Sequence, residues 1–363
     1  MLTAAGLISA MGILYGVTQF TDLSIWTLNF AIMFALALGI DYALFVVSRY
    51  RGAIHATPED PKLAVAVTMD TAGKAVLFSG LTVLISLSAI LLVPIPAFRS
   101  MAAGMMLAVA FVLLAALTLL PAVIGPWVNR LSLPWHSAGE HRSAWWAAFA
   151  RRVQSRAGIL AVSSTALLLL LAAPLLELKT GMPSISVLPD DRQAREGYNA
   201  LATGFGPGAP GPIQVVVPAG TDASAVADAV NGTEGIVMAY PPQPGANGAS
   251  LIQAMSAFDP SSDEIYSLVE TLRDTLPGNV LVGGPVAENY DLDQTLRDRA
   301  PIVIGVVLVL GFLLLLFALQ AVFIALAGVV FNLLSVGAAF GVGALAFQHG
   351  WAAGPMGFES QGY

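Results

Sequence analysis

Long apolar runs carrying almost no charge alternate along this chain with shorter stretches in which nearly all the charge is collected. A run of about 20 apolar residues, wound as a helix, matches the hydrocarbon thickness of a bilayer. Seven such runs predict membrane spans, at about 2 to 20, 26 to 48, 74 to 94, 101 to 125, 158 to 176, 302 to 319 and 322 to 347. The pattern changes between the fifth and sixth. Residues 177 to 300 are rich in Pro, Gly and acid, and their apolar positions fall in short alternating groups. Strands are predicted at 213 to 218, 235 to 240, 250 to 258 and 280 to 282, and helices at 222 to 230 and 261 to 276. Ser261 or Ser262 opens the second helix, with Asp263 and Glu264 favouring the dipole in its first turn. A further helix at 287 to 299 runs into the next span.

The order β-α-β-β-α-β is the split ferredoxin-like pattern. The fold class predicted is therefore an α-helical polytopic membrane protein, of about seven transmembrane helices, with an inserted extracytoplasmic α/β domain. Residues 1–125 form a four-span bundle, 126–157 a cytoplasmic linker and 158–176 a single span. The α/β domain occupies 177–300, two more spans 301–348 and a tail 349–363.

Composition narrows the function. Hydrophobic residues make up 56% and charged residues 11%, with a mean hydropathy of +0.76. Soluble domains have about 45–50% apolar and about 25% charged residues, so a soluble protein is excluded. The absence of cysteine removes disulfides, thiolate metal sites and a cysteine nucleophile. Residues 177–300 hold sixteen Asp and Glu against six Lys and Arg, whereas the rest holds seven against ten. Nothing resembles a basic nucleic-acid face, so no nucleic-acid partner is expected.

No nucleophile and base set, metal cluster or nucleotide loop stands out, so an enzyme is not expected. Gly204, Gly206 and Gly208 form a GxGxG run, but Pro207 interrupts it and no strand precedes it; it reads as a flexible loop. His136 and His141, with Glu140 between them, read as a solvated loop before they read as metal ligands.

Basic residues set the orientation. Arg49, Arg51, Lys62 and Lys74 lie in one loop, and Arg130, Arg142, Arg151, Arg152 and Arg156 in another. Both loops are expected in the cytoplasm, and alternation then places 177–300 outside. No basic residue precedes Arg49, so residues 1 to 20 lack the basic start of a signal peptide and read as a span.

One acidic residue stands apart from the loops, the outer domain and the tails. Asp41 sits inside the second run, where a carboxylate costs about 2.5–3.5 kcal/mol on insertion scales and usually marks an ion or proton pathway. At 100° per residue it shares a face with Phe34, Ala37, Leu38, Phe45 and Ser48. Ala31, Ala35, Gly39 and Ala43 form a stripe of small residues opposite. The helix is therefore expected to be packed on two sides, with Asp41 buried. Tyr42 is placed to donate a hydrogen bond to a neighbouring helix or to water. Two roles remain open for Asp41: relay of a proton or cation, and a neutral group that holds two helices together.

Three strings carry a resemblance. They are Leu38-Gly39-Ile40-Asp41-Tyr42-Ala43-Leu44-Phe45-Val46-Val47-Ser48-Arg49-Tyr50-Arg51, Thr71-Ala72-Gly73-Lys74-Ala75-Val76-Leu77-Phe78-Ser79-Gly80-Leu81-Thr82 and Leu117-Thr118-Leu119-Leu120-Pro121-Ala122. Together they resemble the MMPL family, the large mycobacterial-type membrane proteins of the resistance-nodulation-division superfamily. The resemblance implies twelve spans in two homologous halves, each with a porter domain after its first span. It implies export of lipids, glycolipids, siderophores or drugs across the cytoplasmic membrane on the proton gradient, with protons as the coupling ion and no other cofactor. Asp41 and Tyr42 would be the proton relay, with Gly39, Ser48 and Ser79 in support.

On that template the chain is an incomplete piece, from the end of the third span to the ninth, and its partners are hydrophobic or lipid cargo and membrane lipids. A homo-oligomer or accessory envelope proteins would complete the assembly. The alternatives are another member of the superfamily, such as a protein-export motor, a sterol-sensing-domain protein, or a sensor or scaffold without transport.

Overall fold

The computed structural model describes residues 2–57, 59–124, 144–178, 185, 188 and 191–357. The chain packs as two units, Met1–Leu170 with Arg299–Gly337 and Leu171–Asp298 with Ala338–Tyr363. The loop residues His136, Glu140 and His141 lie outside the described residues.

In the first unit, α1 (Leu2–Val17), α2 (Trp26–Ala56), α4 (Lys74–Ser88) and α5 (Pro96–Leu117) are the main helices, with α3 (Pro61–Thr68) ahead of α4. Helices α1, α2 and α4 all pack on α5. The reason is legible in α5 itself, where Ala102, Gly104, Ala108, Val109, Val112 and Ala116 are buried and mostly small. Lipid tails are as apolar as leucine, so helices in a bilayer associate through close van der Waals packing at small residues. At Gly104 a Cβ would stand 2.4 Å from Thr27 Cγ2, so only glycine admits α2 there. Polar groups tie the helix ends. The Ser24 amide donates to Ser100 Oγ at 3.1 Å, and Thr27 Oγ1 lies 3.2 Å from the same oxygen. Arg99 Nε donates to the carbonyls of Leu91 and Val93 at 3.2 and 3.0 Å, closing the end of the preceding helix.

The helices are longer than the hydrophobic runs predict. Asp60 caps α3 by accepting from the Leu63 amide, and Pro61 takes the first helical position. From there α3, a π turn at Met69–Gly73, α4 and a 3₁₀ turn at Ala89–Leu92 make one apolar rod, Pro61–Leu92. Lys62, Asp70 and Lys74 interrupt the run in sequence, but Asp70 and Lys74 pair one turn apart along the helix. Asp70 is therefore helical, which corrects its placement in a loop. Among the described residues six helices are long and apolar enough to cross a membrane, against seven predicted; α1, at 16 residues, is the shorter one. Helices α6 (Ala144–Ser155) and α7 (Ala157–Ala172) follow, with α6 inside what was predicted as linker.

The second unit holds α8 (Gln193–Phe205), β1 (Ile213–Val217), α9 (Ala223–Asn231), β2 (Ile236–Ala239), β3 (Gln243–Pro244), β4 (Ser250–Ser256), α10 (Asp263–Thr275) and β5 (Leu281–Gly283). The sheet order is β2-β4-β1-β5 with every pairing antiparallel, the ferredoxin-like arrangement predicted, and β3 adds a short pairing to β4. Alternation in β1 buries Ile213, Val215 and Val217, and Val215 pairs with Ile252 on one side and Val282 on the other. These side chains share a core with Val226 and Val230 of α9 and Ile265, Leu268, Val269 and Leu272 of α10. Each contributes about 1.5–3 kcal/mol by leaving water. Asp222 caps α9, accepting from the amides of Ser224 and Ala225. Ser262 stands at the N-cap of α10, but its hydroxyl makes no cap bond.

The glycine run is not a flexible loop. Gly204 lies in the last turn of α8, Gly206 ends that helix at φ 107°, and a Cβ at Gly208 would meet the Ser256 carbonyl oxygen. The helix predicted at 287 to 299 and the span after it are one element, α11 (Pro285–Leu319), followed by α12 (Val322–Gly343).

Candidate functional site

Helix α2 carries the candidate site, and its burial pattern shows why. Ala31, Ala35, Gly39, Tyr42, Val46 and Tyr50 recur every three or four residues, and all are buried. They form the face that meets the other helices, in one core with Val76 of α4 and Ala108, Val112, Leu113 and Ala116 of α5. At Gly39 a Cβ would stand 2.7 Å from the Thr3 side chain, so this glycine lets α1 approach. Its role is packing; it does not line the polar seam.

Asp41 is one residue, and about 100°, round from that face. It is exposed, as are Ala37, Phe45 and Ser48. Phe34 and Leu38 are half-buried against Leu87, Met105 and Val109. Two-sided burial was predicted for this helix; only the small-residue side and the Phe34–Leu38 edge are packed. Close packing follows the small residues, whereas the stripe through Ala37, Asp41 and Phe45 offers no partner surface among the described residues.

Tyr42 is the buried member of the pair, at 5% exposure, and among the described residues its hydroxyl closes no hydrogen bond of ordinary geometry. Ser79 of α4 and Asp41 are the polar side chains acting on it, and Ser79 faces it without closing a bond of ordinary geometry. A buried hydroxyl left unpaired costs about 1–3 kcal/mol, so this group is held at the expense of stability. The structure thus brings Tyr42 and Ser79 together at the seam where α2 faces α4, with Asp41 beside Tyr42 in the chain and outside that contact. Ser48 lies about two turns away on the exposed stripe of Asp41.

The sequence did not disclose the end of this seam. Arg49 Nε donates to Thr71 Oγ1 at 3.0 Å, joining α2 to the π turn that precedes α4. Single π turns inside α-helices concentrate at functional sites. Lys74 and Asp70 pair beside it. Among the described residues no cluster of three or more His, Cys, Asp or Glu could hold a metal ion.

The MMPL family profile matches residues 1–160 and 250–355. The heme uptake protein MmpL11 of Mycobacterium tuberculosis is 33% identical, with 99% of this chain and 39% of that protein covered. The mycolic acid-containing lipids exporter MmpL11 of Mycolicibacterium smegmatis is also 33% identical, over 97% of this chain and 39% of its own length. Membrane protein YdfJ of Bacillus subtilis is 29% identical, over 96% and 50%. Among solved structures, SecDF of Thermus thermophilus, a translocon-associated membrane protein, is similar with a TM-score of 0.49 at 14% identity, covering 94% of this chain and 43% of that one. The chain spans less than half the length of the MmpL11 relatives it matches. Its apolar helices make it a multi-pass membrane protein, and the profile match, which takes in all of α2, places it in a family: this chain belongs to the MMPL family.

Proposed function

We propose that this chain is part of a secondary transporter that exports lipids or other hydrophobic compounds across the cell membrane, driven by the proton gradient. Asp41 takes up and releases the coupling proton, and the Tyr42 hydroxyl, beside Ser79, relays it by giving up its own proton as it accepts another. One observation carries this reading: a carboxylate stands exposed between the apolar side chains of Ala37 and Phe45, next to a buried hydroxyl that closes no ordinary hydrogen bond among the described residues. Acyl chains are a costly neighbour for that carboxylate, so its stripe suits water or another protein surface in the working assembly.

The acidic α/β domain lies outside the membrane, an orientation that the arginine and lysine bias supports, and we assign the handling of cargo to it. The names of the two MmpL11 relatives, one a lipid exporter and one a heme uptake protein, share a hydrophobic cargo and differ in direction. Export follows from proton entry coupled to outward movement, and uptake is the contrary outcome of the test. That test is Asp41→Asn in the intact transporter containing this chain, reconstituted in vesicles with an imposed pH gradient and a fluorescent lipid. Gradient-driven movement is expected to fall at least a hundredfold, with the protein still folded. Unchanged movement in the variant would assign Asp41 to structure alone, and movement towards the cytoplasmic side would reverse the direction.

A further inference from the structure

Helix α6 has the sequence Ala144-Trp145-Trp146-Ala147-Ala148-Phe149-Ala150-Arg151-Arg152-Val153-Gln154-Ser155. At 100° per residue Trp145, Trp146, Phe149 and Val153 fall on one face. The three rings form a cluster, with Trp145 stacked on Phe149 at 5.7 Å and Trp146 edge-on to both at 4.5 and 5.9 Å. They are nevertheless 64%, 62% and 50% exposed, an apolar patch that water would not favour. Arg151 and Ser155 lie on the opposite flank, Arg152 borders the aromatic face, and Arg156 follows the end of the helix. Arg151, Arg152, Ser155 and Arg156 line an open concavity of about 420 Å³.

Among the described residues no acidic side chain pairs with any of these three arginines, whereas Arg192, Arg273 and Arg297 each have one. Three positive charges within six residues repel one another unless an anion lies among them. The guanidinium group is suited to that anion when it is a phosphate, which it grips with two parallel donors.

Position decides what brings the phosphate. Arg156 immediately precedes Ala157–Glu177, a span with no buried residue in its apolar window, so the cluster sits where a helix leaves the bilayer. Lipid phosphates lie at that depth. The aromatic face, on the same short helix, is of the kind that settles into the headgroup and acyl boundary. A soluble phosphate would leave those rings unexplained.

We propose that α6 lies in the membrane interface, with Trp145, Trp146 and Phe149 towards the acyl chains, and that Arg151, Arg152, Ser155 and Arg156 bind the phosphate of an anionic phospholipid. The positive-inside bias makes this the cytoplasmic leaflet. The site fixes the entry of α7 into the bilayer, and it is independent of proton coupling at Asp41.

The test uses tryptophan fluorescence of the chain reconstituted in phosphatidylcholine vesicles. A fraction of either phosphatidylcholine or phosphatidylglycerol carries brominated acyl chains as quencher. Brominated phosphatidylglycerol is expected to quench as though enriched roughly five- to tenfold near the tryptophans, by the attraction of clustered basic residues to anionic lipid. Changing Arg151, Arg152 and Arg156 together to Gln should bring the two lipids to parity. Changing the same three to Lys, which keeps the charge and loses the paired donors, should leave an intermediate preference and guards against misfolding of the Gln variant. The other tryptophans of the six in the chain are common to every sample and cancel in the comparison. Inorganic phosphate at the concentration of the anionic lipid should leave the preference intact. Equal quenching by both lipids in the unchanged protein, a preference that survives the Gln variant, or its abolition by inorganic phosphate would each overturn the proposal.

Discussion

Arg273 grips Asp291 with both terminal nitrogens, Nη1 to Oδ1 at 2.5 Å and Nη2 to Oδ2 at 2.9 Å. Nη2 also donates to the Val282 carbonyl at 3.0 Å, and the guanidinium lies 5.5 Å from the centre of the Tyr290 ring. One side chain thereby ties α10, β5 and the start of α11 together. Its partner helix is the element that continues into an apolar span, so the α/β unit and that span share a backbone.

Loss of this grip should loosen the α/β unit. The pair is partly exposed, so its charge attraction is discounted for solvent; the paired hydrogen bonds and the carbonyl contact remain. Arg273→Ala is expected to cost about 1 kcal/mol, and Arg273→Lys to recover little of it, because a lysine offers no fork. Thermal unfolding of the two variants beside Asp291→Asn checks this. Equal stability of the Lys variant and the parent would show that charge alone matters.

Gly39 and Thr3 make the second test. Any side chain at Gly39 meets the Thr3 γ atoms at 2.7 Å, and overpacking of this kind costs about 1–3 kcal/mol. Gly39→Ala should lower the midpoint of thermal unfolding in detergent, and Thr3→Ala in the same chain should restore part of it. An additive pair of effects would mean that α1 does not approach α2 at this point.

These residues also show how far the sequence could be read. The ferredoxin-like order was legible because Ile213, Val215 and Val217 alternate with polar or exposed positions, the pattern of a sheet with one buried face. The small stripe on α2 was legible for a similar reason, since Ala31, Ala35 and Gly39 repeat at helical spacing. Hydropathy says nothing, however, about which other side of an apolar helix meets protein, and the expected burial of Asp41 failed there. Helix α8 was missed although Tyr198, Leu201, Ala202 and Phe205 recur at helical spacing, because the Gly and Pro around it read as loop and the stripe buries no residue. The polar start of the Pro61–Leu92 rod hid its helix, because Lys62, Asp70 and Lys74 break the run while adding ordinary helical pairs. The Arg49–Thr71 contact was out of reach, as it joins residues 22 apart across two helices.

Tyr198 predicts a pH dependence. Burial, then the hydrogen bond its hydroxyl donates to Asp259 at 2.8 Å and the charge of that carboxylate, push its phenol up to about 12. An unfolded tyrosine titrates near 10. Below pH 10 both states keep the proton, and this contribution to stability is fully present. Between 10 and 12 the unfolded chain releases its proton first, so stability falls as pH rises. Tyr198→Phe should flatten that fall and remove the last step from the phenolate absorbance titration. A tyrosine step at about 12 that persists in the variant would place the perturbed group elsewhere.

Tyr42→Phe separates function from structure, because the two pull in opposite directions. Among the described residues the buried hydroxyl closes no ordinary hydrogen bond, so its removal costs the fold little and relieves it of a poorly paired polar group. The ring, which fills the core between α2, α4 and α5, is kept. Stability should therefore hold or rise, by up to about 1 kcal/mol. If the hydroxyl serves the proton at Asp41, transport by the intact protein should nevertheless fall, by about tenfold, less than for Asp41→Asn, since the carboxyl group still titrates. Ser79→Ala should fall between the parent and Tyr42→Phe, as Ser79 faces the hydroxyl without bonding to it. Thermal unfolding and gradient-driven lipid movement, measured on the same preparation, read both quantities. A variant that is more stable and transports at the parental rate would leave Tyr42 as core packing and reduce the proton path to Asp41 alone.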